Sequence, residues 1–345
     1  MLRSIHLNML AATLAAATTL APGLAGAQDK KLVLRVADQF PQGHFLPRYG
    51  IKPWMEQVTK ATNGEVQFEY YPAEQLGKAK DLLSVVQNGV ADMVLFAPSY
   101  ASDKMPLTAA LELPGMFTNA CQGSQTLAKL ARPEGILGQQ EYGPNGVRVL
   151  FAAVYPPYQM VSAKRKIDSP KDVEGMKLRV LGGAMDLTVR RLKGVGVKMA
   201  STEAFEAISR GTLDGAIFSY GVTVNYNIPT KYATTGPGFG SAAAIFIVSE
   251  NRWKQLPDPV KKAMTEAAVE AGANLCAGMD KEEVATFFRK YELLSLPVVD
   301  AAGKLVGRIT VDDVVDVIEE EASEDIYRLA GLPDQASVHE SVRDS

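Results

Sequence analysis

One arginine is placed to bind an anion. Arg179 lies in Gly175-Met176-Lys177-Leu178-Arg179-Val180-Leu181, a short apolar run closed by Gly182-Gly183. A run of this kind, bounded by glycines, reads as a strand. Met176, Leu178 and Val180 then share one face, and Arg179 points to the other, beside a glycine pair that admits a close neighbour. A guanidinium there suits a carboxylate, because its planar fork donates two parallel hydrogen bonds to both oxygens. A structural ion pair with a protein Asp or Glu uses the same geometry, and spacing alone favours that plainer role. Catalytic sets are scarce. His44 and His339 have no Cys or acidic neighbours at ligand spacing, and His6 belongs to the N-terminal leader. There is no Gly-rich phosphate loop, Gly-x-Ser-x-Gly or helical His pair. No catalytic residue, metal ligand or cofactor is assigned, and binding is favoured over catalysis.

The chain that positions Arg179 has 345 residues, enough for two or three domains. A net charge of -3 without a basic block argues against nucleic acid as a partner. Arg3, the Ala-rich apolar run Met9 to Leu24 and the small residues Ala25-Gly26-Ala27 follow the order of a cleavable secretory signal over 1–27. No later stretch is long and apolar enough to span a bilayer. A periplasmic location is expected. Cys121 and Cys276 fit a disulfide or two buried thiols equally well.

Strand patterns appear at Leu32–Asp38, at Val66, Phe68 and Tyr70, and at Val90–Phe96, with helices around Pro53–Thr62 and Asp81–Gln87. The grammar returns later. Val195–Met199 reads as a strand, Ser201 or Thr202 as the cap of a helix ending at Arg210-Gly211, and Thr212–Phe218 as another strand. Thus Gly89-x-x-Asp92-x-x-x-Phe96 is echoed by Gly211-x-x-Asp214-x-x-x-Phe218. Two strand-helix-strand units of this kind imply two similar α/β lobes with a cleft between them. Ala242–Val248 reads as a buried strand, and Pro257–Leu275 as an amphipathic helix presenting Val260, Met264, Ala267, Ala268, Ala271 and Leu275.

The segments YYPAEQLGKAKDLLSVVQNGVADMVLF, ALELPGMF, SPKDVEGMKLRV and EAFEAISRGTLDG resemble the extracytoplasmic solute receptors of tripartite ATP-independent periplasmic (TRAP) transporters. The resemblance covers about Leu32 to Asp280. It implies a two-lobed, periplasmic-binding-protein-like fold that closes on a small organic acid, with Arg179 as the carboxylate anchor. It also implies delivery to membrane permease subunits, and no enzymatic activity. Tyr155, Tyr158, Gln159, Phe218 and Tyr220 stand where the family puts ligand contacts. Tyr155-Pro156-Pro157-Tyr158-Gln159-Met160 stands where a second ligand-facing arginine is common, and Ala97-Pro98-Ser99 and Ile217-Phe218-Ser219-Tyr220 replace polar or charged residues common in the family. A monocarboxylate with an apolar or aromatic body is therefore favoured.

From about Lys281 the pattern changes to strand Pro297–Asp300, a turn at Gly303, strand Leu305–Thr310 and a helix through Ile318. This segment resembles the second CBS domain of MgtE-type magnesium transporters, and Gly307-Arg308-Ile309-Thr310-Val311-Asp312-Asp313 matches the G-x-x-T-x-x-D signature. The resemblance implies possible nucleotide contacts at Thr310 and Asp313. The run Glu319-Glu320-Glu321 with Glu324 and Asp325 suits either a hard cation or a solvated face. Val298, Val306, Ile309 and Val314 form an apolar face lacking the other half of a CBS pair. The expected organisation is a signal at 1–27, a solute-binding domain over 28–280, a partial CBS-like β-β-α segment over 281–332 and a flexible tail over 333–345. Within the solute-binding domain, lobe I takes about 32–150 and 238–280, and lobe II about 151–237. The alternative function is a nucleotide- or Mg2+-responsive regulatory module; an enzyme acting on a small acid is a third reading.

Overall fold

The computed structural model describes residues 31–315, apart from 42, 237, 292–293 and 300–304. The expected signal segment, the Gly303 turn, the acidic run from Glu319 and the tail over 333–345 lie outside the described residues. The first lobe contains β1 (Leu32–Asp38), α1 (Lys52–Ala61), β2 (Val66–Tyr71), α2 (Leu82–Gln87), β3 (Met93–Phe96), α3 (Ala120–Leu130) and β4 (Val147–Val154). The second contains β5 (Gln159–Ser162), β6 (Lys177–Val180), α4 (Gly183–Arg191), β7 (Val195–Lys198), α5 (Ser201–Ser209), β8 (Gly215–Phe218), α6 (Tyr220–Asn225) and β9 (Tyr232–Ala233). The chain returns to the first lobe through β10 (Ala243–Ser249), α7 (Glu250–Gln255) and α8 (Asp258–Tyr291), and β11 (Ser295–Val299) and β12 (Leu305–Thr310) follow.

The two sheets share one plan. Their strand orders are β2-β1-β3-β10-β4 and β7-β6-β8-β5-β9. In each, three parallel strands come from consecutive strand-helix-strand units, and an antiparallel strand follows. The sequence echo has a structural cause. Gly89 and Gly211 adopt φ of 69° and 73° just past α2 and α5, the left-handed turn that releases a helix. Asp92 Oδ2 then accepts from Arg35 N at 2.7 Å, and Asp214 Oδ2 accepts from Lys177 N at 2.8 Å. Each aspartate pins its loop to the adjacent parallel strand, β1 in the first sheet and β6 in the second.

Pairing of β4 with β10 continues to Val154 opposite Ala243, so the crossing segment is Tyr155 to Tyr158. Helix α8 carries the expected apolar face, with Val260, Met264, Ala267, Ala268, Ala271 and Leu275 all buried. It also runs on past Leu275 to Tyr291. It packs on α1, α3 and β4 of the first lobe and on α6 of the second, so a single rod braces both. Cys121 of α3 and Cys276 of α8 form a disulfide that closes a separation of 155 residues. A cross-link of this kind contributes about 2–4 kcal/mol.

Beyond that core, β11 and β12 pair antiparallel. Val314, Leu296 and Ile309 pack with Ala285 and Phe288 of α8 in a separate small cluster. Part of the face expected to lack a partner is therefore covered by α8, while Val306 remains 61% exposed. Among the described residues, no helix is long and apolar enough to cross a membrane.

Candidate ligand-binding site

Arg179 is fully buried. Strand β6 holds its backbone between β7 and β8, and the side chain leaves the sheet towards the first lobe. Its Nε donates to Met199 O at 3.0 Å, and its Nη2 donates to Ser201 Oγ at 2.8 Å and to Tyr100 OH at 3.3 Å. The guanidinium lies over the Phe218 ring, 4.3 Å from its centroid. Nη1 has no hydrogen-bond partner, although it is buried. No described carboxylate pairs with Arg179, which removes the plainer reading of a structural ion pair. A buried cation with one unanswered N–H edge is a site for an acceptor, because such a group is costly to leave unpaired.

The surroundings come from both lobes. Tyr100 precedes the end of a short 3-10 turn after β3, and Ser201 opens α5. Ser201 N also donates to Tyr100 OH at 3.0 Å, so the anchor is buttressed by direct bonds between lobes. The expectation that Ser201 or Thr202 caps α5 is corrected here. Ala200 occupies the N-cap position, and the Ser201 hydroxyl is engaged by Arg179 instead. Gly182 allows the approach: a Cβ on it would lie 2.8 Å from Ser99 O of the first lobe. The close neighbour anticipated beside the glycine pair is thus the backbone of the other lobe.

Next to this contact lies a small cavity of about 10 Å3, room for about one water, lined by Gln39, Tyr100, Tyr155, Tyr158, Ser201 and Tyr226 with apolar neighbours. Of the residues singled out from sequence, Tyr155 and Tyr158 line it, and Phe218 backs Arg179 while meeting Tyr158 edge-on. Gln159 and Tyr220 face another task. The Gln159 amide bonds Gly236 O and Thr234 Oγ1, and Tyr220 OH donates to Thr234 O, so both fasten the segment after β9. Gln39, Tyr100 and Tyr226 were missed. They are isolated polar or aromatic residues at element ends, and only the crossing of two lobes gathers them.

Burial sets the protonation of the site. It holds the Tyr155 and Tyr226 hydroxyls well above their ordinary pKa, so both remain donors. It lowers His44 from 6.5 to about 3, leaving the imidazole neutral. Asp38, buried next to Gln39 in sequence, is raised from 3.8 to about 6 by desolvation, against the hydrogen bond from Tyr70. A wider groove between α3, β4 and α8 is built from one lobe only, so lobe closure does not involve it.

Residues 42–286 match the family described as bacterial extracellular solute-binding protein, family 7. The chain belongs to this family, the TRAP solute-binding proteins. A solute-binding protein of Albidiferax ferrireducens is 27% identical over 228 residues, spanning 64% of this chain and 65% of that protein. A marine-metagenome TRAP solute-binding protein, specific for aromatic acids and crystallised with 3-hydroxybenzoate, superposes with a TM-score of 0.69 at 24% identity, covering 87% of this chain and 92% of that one. A TRAP protein of Chromohalobacter salexigens with bound D-glucuronate gives 0.65 at 19% identity, covering 75% and 85%. At such identities the likeness carries the fold.

The C-terminal segment has other relatives. Residues 273–320 match the CBS domain, and 53 residues are 55% identical to the magnesium transporter MgtE of Thermus thermophilus, or 15% of this chain and 12% of that protein. The two family matches overlap on α8. Thr310 and Asp313, the possible nucleotide contacts, bond each other: Asp313 Oδ2 accepts from Thr310 N at 2.8 Å and from its Oγ1 at 2.9 Å. These bonds hold the Asp313 carboxyl below its ordinary pKa. They make a capping box at the turn after β12.

Proposed function

We propose that this TRAP solute-binding protein captures a small organic monocarboxylate with an apolar or aromatic body in the periplasm and delivers it to membrane permease subunits, without chemical turnover. The carrying observation is the buried Arg179 guanidinium, whose Nη1 lacks a partner beside a cavity walled by tyrosines. One carboxylate would complete that cation. A second would enter a lining that contains no charged side chain and would approach Asp38, whose charge acts on Tyr226 of that lining. Burying an unpaired charge there is costly, which disfavours dicarboxylates. Ligand held by Arg179 and by Tyr100 or Gln39 touches both lobes, so it binds the closed arrangement better and shifts the population towards it. The leader-like N-terminus and the Cys121–Cys276 disulfide support export to an oxidising compartment.

Calorimetry on the purified protein tests the reading, with benzoate, phenylacetate, succinate and D-glucuronate as probes and product analysis after incubation. Binding of an aromatic monocarboxylate, unaltered on recovery, is expected. Tighter binding of succinate than of every monocarboxylate would overturn the ligand class, and a recovered product would overturn the receptor role.

A further inference from the structure

We propose that the Gln39 amide and the Tyr226 hydroxyl form a polar subsite that reads a hydroxyl group on the ligand's body, at a distance from the carboxylate. The inference rests on the monocarboxylate reading and narrows it to hydroxylated acids. Nine buried side-chain polar atoms lack a partner among the described residues, and four of them belong to Arg179, Gln39, His44 and Tyr226. That concentration at one cleft marks a place where a ligand supplies the missing bonds, since buried polar groups are almost always paired.

The chemistry of the orphans is specific. Gln39 is 3% exposed, and its carbonyl oxygen is an unanswered acceptor. The Tyr226 hydroxyl both donates and accepts, and it lines the same cavity. A ligand hydroxyl satisfies the two together, donating to Gln39 and accepting from Tyr226. His44 stands edge-on to the Tyr226 ring, with centroids 5.8 Å apart. Its Nδ1 accepts from Leu46 N at 3.2 Å, so the ring proton sits on Nε2, a third unpartnered group and a donor. Carbon-only ligand bodies leave all of these unmatched.

The two readers also come from different lobes. Gln39 follows β1, and Tyr226 is the residue at which α6 ends. A hydroxyl bonded to both is bound only when the lobes are together, so this subsite couples recognition to closure as Arg179 and Tyr100 do on the carboxylate side.

Calorimetry on the full chain tests this with benzoate against its three monohydroxy isomers, and phenylacetate against its ring-hydroxylated analogues. In the unaltered protein, one hydroxylated acid is expected to bind about tenfold or more tighter than its parent, because a site built for a hydroxyl penalises its absence. In Tyr226→Phe and in Gln39→Leu that preference should shrink to about twofold or less. Equal binding of parent and hydroxylated acids by the unaltered protein overturns the subsite and leaves the receptor reading standing; it would mean that water answers these groups. A preference that survives both substitutions also overturns it. Binding of none of these acids removes the monocarboxylate reading, and the subsite falls with it.

Discussion

Arg179 joins a strand position legible in the sequence to partners that were not. Alternation along β6 fixes which way the side chain points, and local spacing carries that information. Tyr100 and Tyr226 were hidden because each lies in another element, and no local period distinguishes a cleft tyrosine from a core one. Arg179→Ala should weaken binding of the identified acid by about 2–5 kcal/mol, the range for removing one partner of a desolvated charge pair. Calorimetry checks it, and unchanged affinity would dismiss Arg179 as the anchor. Glu112 offers a prediction about pH. It is 1% exposed, accepts from Ser99 Oγ, and is raised by desolvation from 4.5 to about 7. The folded protein holds this proton more tightly than the unfolded chain does. The contribution is therefore complete below the unfolded value of 4.5 and is lost as pH rises through about 7. His44, lowered to about 3, acts with the opposite slope but cancels in a comparison of two variants. Glu112→Gln should match the unaltered protein at about pH 5 and exceed its stability by on the order of 2 kcal/mol at about pH 8. Urea unfolding at both pH values decides, and a constant offset between them would refute the buried acid.

At the scale of elements, the echoed Gly-x-x-Asp spacing was readable because each lobe must solve the same local problem, ending a helix and stapling the next strand. Lengths were less legible. Helix α8 reads as amphipathic only to Leu275; its later turns bury Met279 in the main core and Ala285 and Phe288 against the hairpin. Ser201 misled for a related reason: a hydroxyl at a helix start usually caps, and here a buried guanidinium competes for it successfully. Gly182 shows how one element constrains another. Its backbone is extended, so the requirement for glycine is steric and not conformational. A methyl group would press on Ser99 O at 2.8 Å, a backbone atom that cannot turn aside. Gly182→Ala should hold the lobes apart and weaken ligand binding by about tenfold or more, with little change in the melting temperature of the ligand-free protein. Small-angle scattering with and without ligand would register the effect. A variant that compacts on ligand as the unaltered protein does would remove Gly182 from the closure contact.

At the scale of the whole molecule, the match to the solute-binding family and the match to the CBS domain meet on one helix, α8. Met279 is the last residue of α8 in the main core, whereas Ala285 and Phe288 belong to the small cluster under β11 and β12. Cys276, which ties α8 to α3, also lies before the change. Every residue around Arg179 and the cavity precedes it too. We therefore place the division near Asp280, where the sequence pattern also changes, although the helix itself continues. A chain ending at Asp280 should bind the same acid with similar affinity, because every residue placed around Arg179 and the cavity is kept. It should be less stable, since α8 loses its turns beyond Asp280 and a shortened helix end frays. The loss should be modest, on the order of 1–2 kcal/mol, because the cluster holds only three buried side chains. It should also be more soluble, since Leu294 and Val306, 79% and 61% exposed, leave with the segment. Calorimetry and thermal melts of the shortened chain measure both effects. If it melts cooperatively yet fails to bind the acid, the C-terminal segment shapes the cleft through α8 and α6, and the division is misplaced.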